Sequence, residues 1–234
     1  MKNKLILEKQ KYGLAPTLTN KEIELLDMNF PIQKIIGYIE MQNVTIDVSK
    51  KVLIPRYETE ELIIKVKEHI KDNMDILDIG TGSGFIAISL AKANKSLKID
   101  AIDIDPQAIE QCKINSIKNE IVNVNCFESN LFSNINKKYD IIVSNPPYLK
   151  LDDIVYPNLI LHEPIHALID QNGYFKIYQE IITKSKLYLK KNGFLFFEIN
   201  PNDSKKFIKN NFKIIKDINN KDRIAFIQKE DLTV

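Results

Sequence analysis

An open, mostly parallel α/β sheet of seven strands that ends in an antiparallel hairpin is the fold this sequence predicts. Three observations predict it. Short apolar runs alternate with segments whose apolar residues recur at helical spacing, an order that places helices on both faces of a parallel sheet. The first run, Asp75-Ile76-Leu77-Asp78-Ile79, breaks into the glycine-rich Gly80-Thr81-Gly82-Ser83-Gly84. The last two runs are joined by Asn219-Asn220-Lys221-Asp222, a hairpin signal.

Residues 1 to about 30 read as helical, with Ile23, Leu25 and Leu26 as modest apolar anchors. Between Pro31 and Leu53 the pattern changes: Gly37, Asn43 and Ser49 punctuate short runs, and Val44-Thr45-Ile46-Asp47-Val48 alternates as a half-buried strand does. This predicts a β-hairpin leading into the main domain. The chain is therefore divided into residues 1–53, a small helical and hairpin segment, and residues 54–234, the main domain. Leu62, Ile63, Val66 and Ile70 lie at helical spacing after Pro55. Helix Phe85 to Ala93, strand Lys98 to Asp103, and a helix from Pro106 to Lys118 with Pro in its first turn follow the glycine run. Strands are expected at Val122 to Phe127, Tyr139 to Ser144 and Phe194 to Ile199. Tyr174, Ile177, Tyr178, Ile181, Ile182 and Leu189 mark a long amphipathic helix before the last of these. The closing hairpin pairs Phe212 to Ile218 with Arg223 to Gln228.

Composition narrows the class. Hydrophobic residues make up 44% of the chain, enough for a sizeable core. A net charge of +2 argues against a large nucleic-acid footprint. Cys112 and Cys126 lack the spacing and the histidine neighbours of a zinc site, and are expected to be two reduced core thiols. His69, His162 and His166 are too scattered for a metal centre, so no metal is expected. The run Leu5-Ile6-Leu7 is broken at once by Glu8 and Lys9, too early for a signal peptide, and no later stretch is long enough to span a bilayer. A cytoplasmic protein without stable nucleic-acid or membrane association, and a monomer, is the expectation.

Two motifs carry chemistry. The glycine run follows a strand, where α/β sheets bind ligands, and its glycines permit positive φ and close approach of the backbone. Asp103 closes the next strand, where a carboxylate accepts hydrogen bonds from ribose hydroxyls. Asp78, just before the glycines, either shapes the loop or meets a cofactor amino group. A nicotinamide site shares these features, but here the glycines run G-x-G-x-G. The second motif is Asn145-Pro146-Pro147-Tyr148, directly after a strand, Tyr139 to Ser144, expected to be fully buried. The two prolines delete two N–H groups and fix the backbone, so that carbonyls there are free to face a ligand. An amide or aromatic amine is a poor nucleophile because its lone pair is delocalised. If the Asn145 side-chain oxygen and the Pro146 carbonyl accept both of its N–H hydrogens, the lone pair is held toward an electrophilic methyl group. Tyr148 is expected to stack on the planar acceptor. Together the two motifs predict methylation of a planar nitrogen from S-adenosylmethionine.

From about Pro31 to its end, the chain resembles the release-factor glutamine methyltransferases. The resemblance rests on Pro31-Ile32-Gln33 with Gly37, and on Val52-Leu53-Ile54-Pro55-Arg56-Tyr57-Glu58-Thr59-Glu60. It continues through Glu163-Pro164 with Ala167-Leu168, Gly173, Tyr178, Phe197-Glu198-Ile199 and Asp222-Arg223. It implies a Rossmann-like class I S-adenosylmethionine-dependent methyltransferase fold. It also implies transfer to the side-chain nitrogen of the glutamine in the Gly-Gly-Gln motif of a peptide chain release factor. By this resemblance Asp78, Gly80, Thr81, Gly82, Ser83, Gly84, Asp103, Asn130, Leu131 and Asn145 hold the cofactor. Asn145, Pro146, Pro147 and Tyr148 form the glutamine slot, with Asn145, Pro146 and Tyr148 catalytic. Arg56 and Glu163 are assigned to substrate binding, although Arg56 with Glu58 reads equally well as a helix-start cap and ion pair, and Glu163 as a residue that orders the loop over the site. Glu198 reads as structural. Tyr57 stands where the family has proline, Met41 where an aromatic is common and Asn200 where glycine is usual. The helical segment of about thirty residues looks like a remnant of the family's substrate-gripping domain. The alternatives are a glutamine of a ribosomal protein, or adenine N6 or cytosine N4 of a nucleic acid.

Overall fold

The computed structural model describes residues 1–149, 161–169, 173 and 175–233. Seven strands form one sheet: β3 (Asp75–Ile79), β4 (Lys98–Asp103), β5 (Val124–Glu128), β6 (Tyr139–Ser144), β7 (Leu189–Glu198), β8 (Lys213–Lys216) and β9 (Asp222–Gln228). Their order is β5-β4-β3-β6-β7-β9-β8, parallel from β5 to β7, with β9 antiparallel to both of its neighbours. The strand order reverses between β3 and β6, which opens a crevice at their carboxyl ends.

Alternation along each strand builds two cores. Ile76, Ile141 and Val143 face one cluster with α4 (Tyr57–Lys67) and α5 (Phe85–Ala93), while Leu77 and Ile142 face another with α7 (Lys176–Tyr188) and α8 (Ser204–Lys209). The long amphipathic helix therefore begins at Lys176; Tyr174, expected at its head, lies outside the described residues. Strand β7 starts five residues before the expected Phe194, because Leu189 already pairs with Tyr139 across a register irregularity.

The amino-terminal segment is more ordered than its weak apolar pattern suggests. Helices α1 (Lys2–Lys11) and α2 (Asn20–Asp27) form, the second with a capping box in which Thr19 and Glu22 exchange side-chain-to-backbone bonds. Ile32–Ile36 is a short helix, α3, ended by Gly37 at φ 91°, within the stretch from Pro31 to Leu53 that was read as a hairpin. The hairpin itself, β1 (Tyr38–Met41) and β2 (Val44–Asp47), turns through Gln42 and Asn43, both at positive φ. Its backbone is bound by three amide side chains one turn apart on α6 (Pro106–Lys118) and just past its end. Gln111, Asn115 and Asn119 accept from Lys50, Asp47 and Thr45 N–H at 2.8, 2.8 and 2.9 Å. The amides thus satisfy strand groups that would otherwise lie unpaired at a sheet edge.

One expectation is corrected. Cys112 on α6 and Cys126 on β5 are joined as a disulfide, with Cα atoms 6.4 Å apart, rather than standing as separate thiols. Both face the interior of the same core, where helix and following strand pack directly.

Candidate active site

The predicted site residues stand at neighbouring strand ends. Ile79 pairs with Ile102 on one side and with Ser144 on the other, so Gly80, Asp103 and Asn145 leave β3, β4 and β6 side by side. The Ser144 hydroxyl donates to the Ile79 carbonyl at 2.7 Å and ties the two motif-bearing strands together at the point of exit.

The glycine turn is built around two carboxylates. Gly82 N–H donates to Asp103 Oδ2 at 2.9 Å and Asp105 N–H to Oδ1 at 3.0 Å. Gly82 is at φ 54°, a conformation that costs a residue with a Cβ, and an added Cβ there would meet open space. Gly84 has a different reason to be glycine. At φ 84°, a Cβ on it would lie 2.9 Å from Cys112 Sγ and 3.2 Å from Cys112 Cα, so α5 and α6 could not pack so closely. Asp78 is fully buried behind the turn. Its Oδ2 accepts from the Thr81 hydroxyl at 2.7 Å and from Ala87 N–H at 3.3 Å, while Oδ1 has no hydrogen-bond partner among the described residues. Burial pushes its carboxyl up to about 7, against the pull of Thr81 and Ala87. Asp103 is raised as well, by burial, opposed by the Asp105 and Gly82 N–H groups.

A cavity of about 400 Å³ runs over these strand ends. Gly80, Thr81, Gly82, Ser83 and Asp103 line its cofactor-side half, together with Asn130 and Leu131 after β5. Leu131 sits at φ 48°, and the Ser129 hydroxyl donates to its carbonyl at 2.8 Å. Asn145, Pro146 and Pro147 line the other half. Segments 52–55 and 164–169 close over it, contributing Val52, Leu53, Pro55, Pro164, His166 and Ile169. These roof residues were not assigned to the site by sequence, since they belong to loops with no periodicity and meet only in three dimensions.

Five predicted residues do not reach the cavity wall: Asp78, Gly84, Tyr148, Arg56 and Glu163. Tyr148 packs against the second core, with its hydroxyl on Glu198 Oε1 at 3.0 Å. Arg56 and Glu163 bind each other. One guanidinium nitrogen of Arg56 donates to both Glu163 oxygens at 2.8 and 2.9 Å, and Glu163 is buried. Burial raises the Glu163 carboxyl and the Arg56 charge opposes it, and their contact latches the segment that begins at Glu163 to the start of α4. A second contact, His166 Nε2 to Asp105 Oδ2 at 3.3 Å, ties the same segment to the end of β4.

Glu198 is the residue that sequence reasoning underrated. Fully buried at the end of β7, it accepts from Asn145 Nδ2 at 2.9 Å, Thr59 Oγ1 at 2.7 Å and Tyr148 at 3.0 Å. A carboxylate closing the apolar run Phe194-Leu195-Phe196-Phe197 was the available signal, because a charge is buried there only with partners.

A glycine turn with a carboxylate on the next strand, beside an Asn-Pro-Pro-Tyr loop at the reversal of strand order, defines an S-adenosylmethionine-dependent methyltransferase of the Rossmann-like class. A methyltransferase from Pyrococcus furiosus shares the fold, with a TM-score of 0.61 at 17% identity over 91% of this chain and 99% of that one. The methyltransferase small domain family matches residues 57–156. A release factor glutamine methyltransferase of Fusobacterium nucleatum is 40% identical over 213 residues, 85% of this chain and 60% of that protein. One of Lactococcus lactis is 36% identical over 229 residues, 90% of this chain and 84% of that protein. The chain belongs to the release factor glutamine methyltransferase family.

The site fits the cofactor this implies. Gly80 and Gly82, at positive φ with open space above them, admit a ligand against the backbone, and the Asp103 carboxylate stands beside them on the cavity wall.

Proposed function

We propose that this protein transfers a methyl group from S-adenosylmethionine to the side-chain amide nitrogen of the glutamine in the Gly-Gly-Gln motif of a peptide chain release factor. The observation that carries the reading is Asn145, held at the end of β6 beside the glycine turn of β3 and lining the same cavity. S-adenosylmethionine, when bound, supplies the electrophilic methyl group. Gly80 and Gly82 let the backbone approach it, and Asp103 has lone pairs left for ribose hydroxyls beyond the two N–H groups it accepts. Asp78 braces the turn from behind through Thr81 and Ala87, and Asn130 and Leu131 wall the far side.

Asn145 Oδ1 and the Pro146 carbonyl accept the two hydrogens of the glutamine amide. Both bonds orient an otherwise weak nucleophile, and both strengthen as the nitrogen becomes positive. Pro146 and Pro147 contribute no N–H donors that would compete for the glutamine carbonyl side of the slot. Tyr148 braces the loop from behind through Glu198. Arg56 and Glu163 hold the roof, leaving the cavity mouth to the segments around Leu53 and Ile169. The release factor is the only macromolecular partner this reading requires, and the reading takes the enzyme as a monomer that works in the cytoplasm, where release factors act.

The test is label transfer from S-adenosylmethionine to purified release factor, ribosomal proteins and nucleic acid. Label is expected on the Gly-Gly-Gln peptide of the release factor, and its loss is expected when that glutamine is replaced. Label confined to nucleic acid or to a ribosomal protein refutes the reading.

A further inference from the structure

We infer that Glu198 is a positioning residue for the reaction, fixing which end of the Asn145 carboxamide faces the acceptor. The inference rests on the methyl-transfer reading above and assigns the residue that orients its central side chain. Register brings the two together: Ser144 pairs with Phe197, so Asn145 and Glu198 leave neighbouring parallel strands at the same level. Three side chains, one from α4 and two from the loop after β6, donate to the Glu198 carboxylate. Thr59 of α4 and Asn145 converge on Oε2, and Tyr148 binds Oε1.

An ionised carboxylate has acceptors only. Facing it, Asn145 must offer its NH2, which turns Oδ1 away; Oδ1 makes no hydrogen bond among the described residues. That orientation is the one the chemistry needs, because an acceptor NH2 group must meet an oxygen. A flipped carboxamide would set oxygen against the Glu198 carboxylate and present a donor to a donor. Glu198 is itself held in place by its main chain: its carbonyl accepts from the Tyr178 hydroxyl at 2.7 Å. Burial pushes the Glu198 carboxyl up, and the hydroxyls of Thr59 and Tyr148, with the positive charge of Arg223 on β9, work to keep it ionised.

The experiment inverts the hydrogen bond. Asn145→Asp sets two carboxylates against each other and is expected to slow single-turnover methyl transfer by about 100-fold. Adding Glu198→Gln restores one donor to the pair and leaves a carboxylate oxygen of the substituted side chain facing the acceptor. Transfer is expected to recover at least about tenfold over Asn145→Asp, with cofactor affinity the same in both variants. A double variant no faster than Asn145→Asp overturns the inference. These rates are read on whatever acceptor the wild-type protein labels, so failure of the release-factor reading does not decide the outcome. A substrate-free measurement stands beside them. In the cofactor-free wild-type protein, the Asn145 side-chain amide is expected to exchange its hydrogens roughly tenfold more slowly than that of exposed Asn202. Equal exchange rates overturn the contact on which the inference stands.

Discussion

Asp78→Asn removes a buried charge while keeping its shape, and its effect on stability has a sign that depends on pH. The carboxyl titrates at about 7 in the folded protein against an ordinary 3.8, with burial as the first cause and the Asp103 charge adding to it. A folded pKa above the unfolded one means that the native state holds the proton more tightly. The stabilisation is therefore full below the unfolded value and is lost as the pH rises through 7. A difference of three units, at roughly 1.4 kcal/mol each, makes this about 4 kcal/mol between pH 4 and pH 8. Asparagine keeps an oxygen for the Thr81 hydroxyl but puts an NH2 group where Oδ1 lacks a partner, at a cost of about 1–3 kcal/mol. Urea unfolding of cofactor-free protein across this range reads both effects. The variant is expected to be less stable than wild type at pH 5, to match or exceed it at pH 8, and to show a flatter profile. Parallel profiles for the two proteins would refute a buried carboxyl that gains its proton on folding.

Asp103→Ala removes the acceptor of the Gly82 and Asp105 N–H groups as well as the proposed ribose contact; cofactor affinity, measured by titration calorimetry, is expected to fall by about 10- to 100-fold. Gly84→Ala forces a Cβ to within 2.9 Å of both Cys112 Sγ and Ile88 Cδ1 at φ 84°, so about 2–4 kcal/mol of stability should disappear in chemical denaturation. Arg56→Ala leaves the Glu163 carboxylate buried without its partner. Since Arg56 is itself about one-third exposed, the loss is expected near 1–2 kcal/mol. It should appear as faster proteolysis of the segment near Pro164 and a raised KM for protein substrate.

The main sheet was legible because its strands are buried on both faces and its helices on one. These conditions write periods of one kind or the other into the sequence, and each strand from Asp75 to Ser144 appears within two residues of its expected place. The hairpin turn at Gln42-Asn43 and the closing hairpin were legible for a related reason, turn chemistry. Helix α3 was not, because five residues carry too little pattern to separate a helical turn from an extended run. The pairing of Cys112 with Cys126, the amide ladder of Gln111, Asn115 and Asn119, and the Arg56–Glu163 latch are contacts across 14 to 107 residues of chain. No local signal encodes them. Among site residues, Asn145 and Asp103 announced themselves by position after a strand. Glu198 obeys the same rule, yet its strand ends in a run so apolar that a structural reading took precedence.

The division between sheet ends and roof has a consequence for specificity. Gly80, Asp103, Asn145 and Glu198 each follow or close a strand whose neighbours are fixed by ladder hydrogen bonds, and adjacent strands lie about 4.8 Å apart. In the proposed reaction, the donor and acceptor halves are thus positioned by hydrogen-bonded strand ends, as orientation-dependent catalysis demands. On the same proposal, the residues that meet whatever surrounds the target nitrogen come instead from the two roof segments, latched by Arg56–Glu163 and His166–Asp105. Changes there alter which planar nitrogen can enter without disturbing how it is oriented once inside. A roof variant such as Leu53→Ala should therefore shift KM for protein substrate by several-fold and leave the single-turnover rate at saturation close to wild type. A matching fall in both would mean that the roof, and not the strand ends alone, sets the geometry of transfer.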